Sequence, residues 1–355
     1  MKIHKTPIKF LTSVASLVII VAIAPNASAQ KKSPPKTKPQ STSVVMGTKQ
    51  LPGEFGKIGT TYTIGKESPL NFTLVSSEYK ADRFVGGEFT GLNYSWVPEK
   101  TQKLLVIHYT VQNPLPHDQT LTYQSWALTA VSADDQNSKM LNKPWIGNNT
   151  KYQDVTLKPG QKILTSAAFF VPAAGETPKL IVQRTGDSLA AVVRYDLRGK
   201  VAKLPATWSD DGFTPKDQIE MSPTGKYPIG GFDFAIASVE QAASTITIDD
   251  ADRTRDQWVV KFNVTGVSPD PSRFWYGALK IRVKTDDGDI VEVRNYQRLL
   301  RAGRDEVFDG QIPVGETMTL RFLMELPKGS KPKTLTIQPL ESDLQRRAYI
   351  YKVGS

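Results

Sequence analysis

The chain has 355 residues, of which 39% are hydrophobic and 23% charged, with no cysteine and a formal net charge of +10. The missing thiols exclude a disulfide framework, a Cys-based metal site and a sulfur anchor for lipid. The charge does not describe a basic body: Lys2, Lys5, Lys9, Lys31, Lys32, Lys36, Lys38 and Lys49 take eight of the 45 basic residues into the first 50, where no acid occurs, and leave 37 facing 35 acids beyond, a balance that argues against a nucleic-acid partner.

At the N-terminus Lys2, His4, Lys5 and Lys9 make a basic start, residues 10–24 are mostly apolar, and Ala27-Ser28-Ala29 offers small residues around a cleavage point. This order predicts a secretory signal peptide over residues 1–29, cut before Gln30. An uncleaved anchor is the competing reading, but the run is about 15 residues, broken by Thr12, Ser13 and Ser16, where a span needs about 20. No second run of that length follows, so no transmembrane segment is expected after cleavage. Export without disulfides, in modules large enough to stand on their own cores, points to a secreted or periplasmic protein of a bacterial envelope.

Residues 30–50 read as a disordered Lys/Pro-rich linker. Lys31, Lys32, Lys36 and Lys38 alternate with Pro34, Pro35 and Pro39 and with no apolar side chain, so the segment cannot bury enough surface to fold. Two readings stay open for residues 31–40: a solubilising spacer, or a weak, salt-screened contact with an anionic surface.

An internal repeat organises the rest. Residues 70–78 reappear at 232–240, 103–111 at 258–264, 157–161 at 312–316, 179–183 at 334–338 and 193–195 at 349–351, in one order. The predicted organisation is one β-sandwich over 51–205 and a second over 206–355, with 206–228 as the connection. Within each copy the pattern is β, since Val106, His108 and Thr110 alternate with Ile107, Tyr109 and Val111, as Val260, Phe262 and Val264 alternate with Lys261 and Asn263. Asp286-Asp287-Gly288-Asp289 predicts a hairpin turn, with residues 133–137 in the equivalent place. Helical periodicity is scarce, and residues 297–302 are the best candidate for one short turn.

The strand Leu105-Val106 through Val111-Gln112-Asn113-Pro114, the Asp-rich turn after it, Leu157 with Pro159-Gly160, and Phe170-Val171-Pro172 together resemble the secreted immunoglobulin-like domains of unknown function found on bacterial envelope proteins. The resemblance covers about 60–200 and, more faintly, 229–352, where Gly266-Val267-Ser268-Pro269 replaces the Asn-Pro turn. It implies two tandem antiparallel β-sandwiches acting as a non-enzymatic interaction module, and it carries no catalytic residues.

Chemistry-bearing motifs are sparse. After signal cleavage only His108 and His117 remain, too few for a histidine metal site or a readily assembled triad. Asp249, Asp250 and Asp252 lack the ligand alternation and central glycine of a calcium loop, with Arg253 and Arg255 beside them. No metal, cofactor or catalytic residue is therefore expected. Carboxylates such as Glu88, Glu99, Asp305, Glu306 and Asp309 are available for glycoside hydrolysis, but no spacing selects a pair.

Two segments are candidates for contacts. The first copy carries an insertion with Phe84, Phe89, Tyr94 and Trp96 set among glycines, which would suit a stacking surface or would fold over its own sandwich. The second carries Arg294, Arg298, Arg301 and Arg304 around Tyr296, whose guanidinium forks would suit acidic glycans, phosphate or a carboxylate-bearing partner, or would be neutralised by Asp305, Glu306 and Asp309. The expected function is binding of a protein or glycan of the envelope through these loops. A passive spacer, and a hydrolase acting on wall polymer in the inter-domain groove, are the alternatives.

Overall fold

The computed structural model describes residues 46–48, 54–87, 93–141, 145–146, 154–187, 191–247, 252, 254–267, 273–274, 278–293, 298–339 and 346–354. Contacts divide the chain at residue 41, and both sandwiches belong to the unit that follows. Among the described residues no α-helix occurs, and none is long and apolar enough to cross a membrane.

The strands of the first half are β1 (Thr61–Ile64), β2 (Leu70–Lys80), β3 (Phe84–Gly87), β4 (Asn93–Trp96), β5 (Gln102–Gln112), β6 (Gln119–Leu121), β7 (Trp126–Val131), β8 (Asn137–Lys139), β9 (Trp145–Ile146), β10 (Val155–Leu157), β11 (Lys162–Pro172), β12 (Lys179–Arg184) and β13 (Val193–Asp196). Those of the second are β14 (Gln218–Glu220), β15 (Tyr227–Ile229), β16 (Phe232–Gln241), β17 (Asp256–Gly266), β18 (Arg273–Phe274), β19 (Leu279–Thr285), β20 (Ile290–Val293), β21 (Leu299–Arg301), β22 (Gly310–Gln311), β23 (Thr317–Leu326), β24 (Pro332–Pro339) and β25 (Ala348–Lys352).

In the first half a five-stranded sheet, β1-β2-β5-β11-β9, faces a four-stranded one, β13-β12-β7-β8; in the second, β15-β16-β17-β23-β21 faces β14-β25-β24-β19-β20. Apart from β14, which the second half adds at one sheet edge, the orders correspond, and so does an irregularity. The β2–β5 register slips between Leu74 and Ser76, and the β16–β17 register slips between Ile236 and Ser238. One extra residue, Val75 or Ala237, bends each strand at the matching place, as a bulge does.

Alternation decides what each sheet buries. Leu105, Ile107, Tyr109 and Val111 point inward with Phe72, Leu74, Phe169, Leu180 and Tyr195; Val260, Phe262 and Val264 point inward with Phe234, Phe322, Met324, Leu335 and Ile337. Each large apolar side chain so buried stabilises by about 1.5–3 kcal/mol. Both Asp-rich turns close hairpins: Lys284 pairs with Ile290, and Val131 with Asn137, Asp135 adopting a φ of 58°.

The outer faces of the five-stranded sheets are covered as well. In the first half Leu104, Val106 and Ala168 lie under the β3–β4 hairpin. In the second, Val259 and Leu323 lie under Ile246, with Leu300 and Val307 beside them. This explains where the expected helical turn at 297–302 goes wrong. Leu299 and Leu300 face opposite sides, one into the main core and one into the outer cluster. That two-sided demand suits a strand, and β21 pairs with β23.

The connection is built into the second half rather than strung before it. β14 adds to β25 in parallel, with Ile219 fully buried, and β15, which begins at Tyr227, pairs with β16. Trp208 packs against both cores and meets Tyr349 edge to face. Three arginines bind across. Arg83 donates to the carbonyls of Gly230 and Phe232 at 3.2 and 2.6 Å and pairs with Asp233 at 2.5 Å. Arg346 donates to the Val97 carbonyl, and Arg347 to those of Glu99, Lys100 and Gln102 at 3.0, 3.1 and 2.6 Å.

Candidate functional site

Strand pairing sets the aromatic hairpin of the first half with Phe84 opposite Trp96 and Gly86 opposite Tyr94. Phe84 is buried, and Trp96 lies edge-on to Phe170 at 6.4 Å between ring centres. Both rings rest on Leu104, Val106 and Ala168, apolar residues that would otherwise face water. Phe84 and Trp96 are therefore turned toward their own sheet. Phe89 lies outside the described residues, and of Tyr94 only the backbone is placed.

The arginine segment is split by the fold. Arg294 and Tyr296 lie outside the described residues. Arg298 is buried and grips Glu325 with both prongs at 3.0 Å. Arg301 ends β21 and opens a tight turn: its N–H donates to the Glu306 carbonyl at 3.0 Å, and the Phe308 N–H donates to that of Leu299 at 2.7 Å. The turn folds because Leu299 and Phe308 are both buried in the main core, which leaves residues 301–306 projecting.

On that projection Arg301 and Arg304 share one carboxylate. The Nε of each lies 3.1 Å from a different oxygen of Glu306. Arg301 also lies over the Phe308 ring, 5.3 Å from its centre. Arg321 donates from Nε to the Arg301 carbonyl at 2.9 Å and from a terminal nitrogen to Asp305 at 3.0 Å. Asp309 takes Arg273 instead. Three arginines thus stand against two carboxylates, beside an open groove of about 480 Å³ lined by Arg301, Arg304, Thr317, Met318 and Thr319. Arg304 closes the arginine run singled out in the sequence, and the structure sets it beside Arg301 on one carboxylate.

A larger groove of about 670 Å³ runs along β20, lined by Asp252, Arg255, Asp289, Glu292, Arg298 and Glu325. Its charges are mostly spent on each other. Glu325 holds Arg298 and accepts from the Asp252 N–H at 2.6 Å, Asp252 pairs with Arg255, and Glu292 with Lys280 and Arg282. Asp252 belongs to the acidic run considered for calcium, whose other members lie outside the described residues. Among the described residues no three acidic or histidine side chains are grouped to hold a metal.

His108 sits in a cross-strand row that sequence alone could not assemble. Its Nδ1 is 2.8 Å from the Ser166 hydroxyl and its Nε2 is 3.3 Å from Glu78. The order serine, histidine, carboxylate suits proton exchange. Ser166, however, lies mid-strand, facing His108 on one side and Trp145 on the other, so its neighbouring amides are committed to ladders rather than to a pocket for an oxyanion.

Beyond the sandwich contacts, Lys103 is fully buried at one end of the first core. Its ammonium donates to the carbonyls of Ala173, Gly175 and Phe213 and lies 4.3 Å from the centre of the Tyr79 ring. Burial pulls its pKa down to about 8, with Asp211 and Glu176 opposing from a distance.

Comparison with known proteins adds solved structures alone. No family model matches the chain, and no curated protein does. An uncharacterised β-sandwich protein of Clostridium difficile aligns over 41% of this chain and 98% of its own at 13% identity, with a TM-score of 0.29. A secreted protein of Mycobacterium tuberculosis aligns over 40% and 96% at 14% identity and 0.27. The yjhA protein of Bacillus subtilis aligns over 39% and 98% at 15% identity, also at 0.27. The fold assignment rests on the strand order and register described above.

Proposed function

We propose that the chain is a non-enzymatic binding module of the bacterial envelope, exported by residues 1–29, in which the sandwiches of 51–205 and 206–355 serve as a scaffold for a contact surface on the second. That surface is the projecting turn at 301–306. One observation carries the reading: Arg301 and Arg304 share a single carboxylate through their Nε atoms, and both residues line the groove. The aromatic hairpin is the weaker candidate because Phe84 and Trp96 pack on their own sheet. Catalysis is disfavoured because Asp252, Glu292 and Glu325 of the larger groove are held by basic side chains.

The test is co-sedimentation of the mature chain with isolated envelope fragments, alongside Gly303→Glu. A Cβ at Gly303 meets nothing within 4 Å, so this variant sets a negative charge in the groove without disturbing the fold. Saturable binding that weakens at least about tenfold in the variant, equivalent to ~1.4 kcal/mol, supports the surface. Binding indifferent to the substitution moves the site elsewhere, and no saturable binding at all leaves the passive spacer.

A further inference from the structure

The turn at 301–306 also defines what it would hold. Resting on the binding surface proposed above, we infer that the groove beside Arg301 and Arg304 is a site for phosphate oxygens, presented by a phosphate-bearing polymer or by lipid headgroups.

Geometry comes first. A guanidinium carries five N–H donors, two on each terminal nitrogen and one on Nε. The described contacts of Arg301 and Arg304 spend their Nε atoms on Glu306, which fixes both planes beside one carboxylate and leaves the terminal pairs for a ligand. Arg301 is braced further by the Phe308 ring and by the turn's own hydrogen bond. Such bracing removes part of the ordering cost that a free arginine would bear on binding.

Charge and shape then select the ligand. Asp305 and Glu306 offset two of the three guanidinium charges, so the local balance is one positive charge rather than a neutral network. A carboxylate offers two oxygens in one plane, so its acceptors all lie in the plane of a single fork. Two neighbouring forks are better met by a tetrahedral group with more acceptor oxygens, the match on which arginine recognition of phosphate depends. Thr317 and Thr319 also line the groove, their hydroxyls bonded to Thr265 and Asn263. With one surplus charge and an open groove, a single phosphate binds weakly, and a polymer gains only by offering many phosphates to the same site.

The experiment uses the full mature chain with Lys31, Lys32, Lys36 and Lys38 replaced by Gln, so that the basic tail does not mask the groove. Binding is measured to long-chain inorganic polyphosphate, to phosphatidylcholine vesicles with and without phosphatidylglycerol, and to polyglutamate as a carboxylate polymer. The parent is expected to bind polyphosphate more tightly than polyglutamate, with affinity falling as salt rises. Arg301→Gln with Arg304→Gln, and separately Gly303→Glu, should each cost about tenfold or more. Arg301→Lys with Arg304→Lys, which keeps the charge but loses the forks, should lose most of the affinity too. Binding to the phosphatidylglycerol vesicles without polyphosphate binding assigns the phosphate to a lipid source. Equal affinity for polyglutamate, or variants that bind like the parent, overturns the inference. Absence of phosphate binding while envelope fragments remain sensitive to Gly303→Glu overturns the ligand class and leaves the surface standing. Should the double arginine variants fail to fold, Gly303→Glu decides alone.

Discussion

Lys103 holds an ammonium among carbonyls at the end of the first core, and its pKa of about 8 makes stability depend on pH. The sign follows from proton counting. A lysine in the unfolded chain titrates near 10.4; between about 8 and that value the unfolded state binds more protons than the folded one, so stability rises with pH across the window. The buried phenols oppose this higher up. Burial raises the pKa values of Tyr79, Tyr109, Tyr195 and Tyr349, so the folded state keeps protons that the unfolded chain sheds above about 10. Urea unfolding at pH 8 and 9.5 should therefore show a gain on the order of 1–2 kcal/mol at the higher pH, and Lys103→Met should abolish that gain. An unchanged slope in the variant would assign it to another group. In the sequence Lys103 reads only as the start of an alternating strand. Its acceptors lie 70, 72 and 110 residues away, and no local pattern reports on them.

At the scale of elements, the β3–β4 hairpin is a cover. Phe84→Ala uncovers Leu104, Val106 and Ala168 and should cost about 2–4 kcal/mol, read as a lower denaturant midpoint. Trp96→Ala should also destabilise the fold, where a ring reaching into solvent would leave the midpoint alone. The long strands and both Asp-rich hairpins were legible because period two and turn chemistry are local properties. Leu299 and Leu300 were not, because adjacent apolar residues serve a strand with two buried faces as well as a helix. The same limit applies to the candidate site. The arginine cluster was visible as composition, while the division that sends Arg298 into an ion pair and Arg301 onto a projecting turn depends on which face of β21 each residue takes.

At the scale of the whole molecule, the two cores should behave as one cooperative unit. Arg347 is buried, with a pKa lowered to about 10 chiefly by burial, and its carbonyl acceptors all belong to the other half. Leaving those acceptors unpaired costs about 1–3 kcal/mol per buried group. Calorimetry should show one transition for the parent chain and two for Arg347→Met combined with Arg83→Met; a single transition in the double variant would mean that Arg346 and Trp208 suffice to couple the cores.

Those arginines also limit how many sandwiches the joint can connect. Arg83 stands at one foot of the inserted hairpin, and the acceptors of Arg346 and Arg347 follow its other foot. By the 156-residue spacing of the last matched block, the first half has Ala190 and Ala191 where the second has Arg346 and Arg347. Each half thus brings a different side of the joint. A head-to-tail contact between like parts would propagate into a filament, whereas this joint pairs unlike parts, because Ala190 and Ala191 carry no guanidinium with which to repeat it. The joint is therefore directional: it seats the second half on the first and does not seat two like halves on one another.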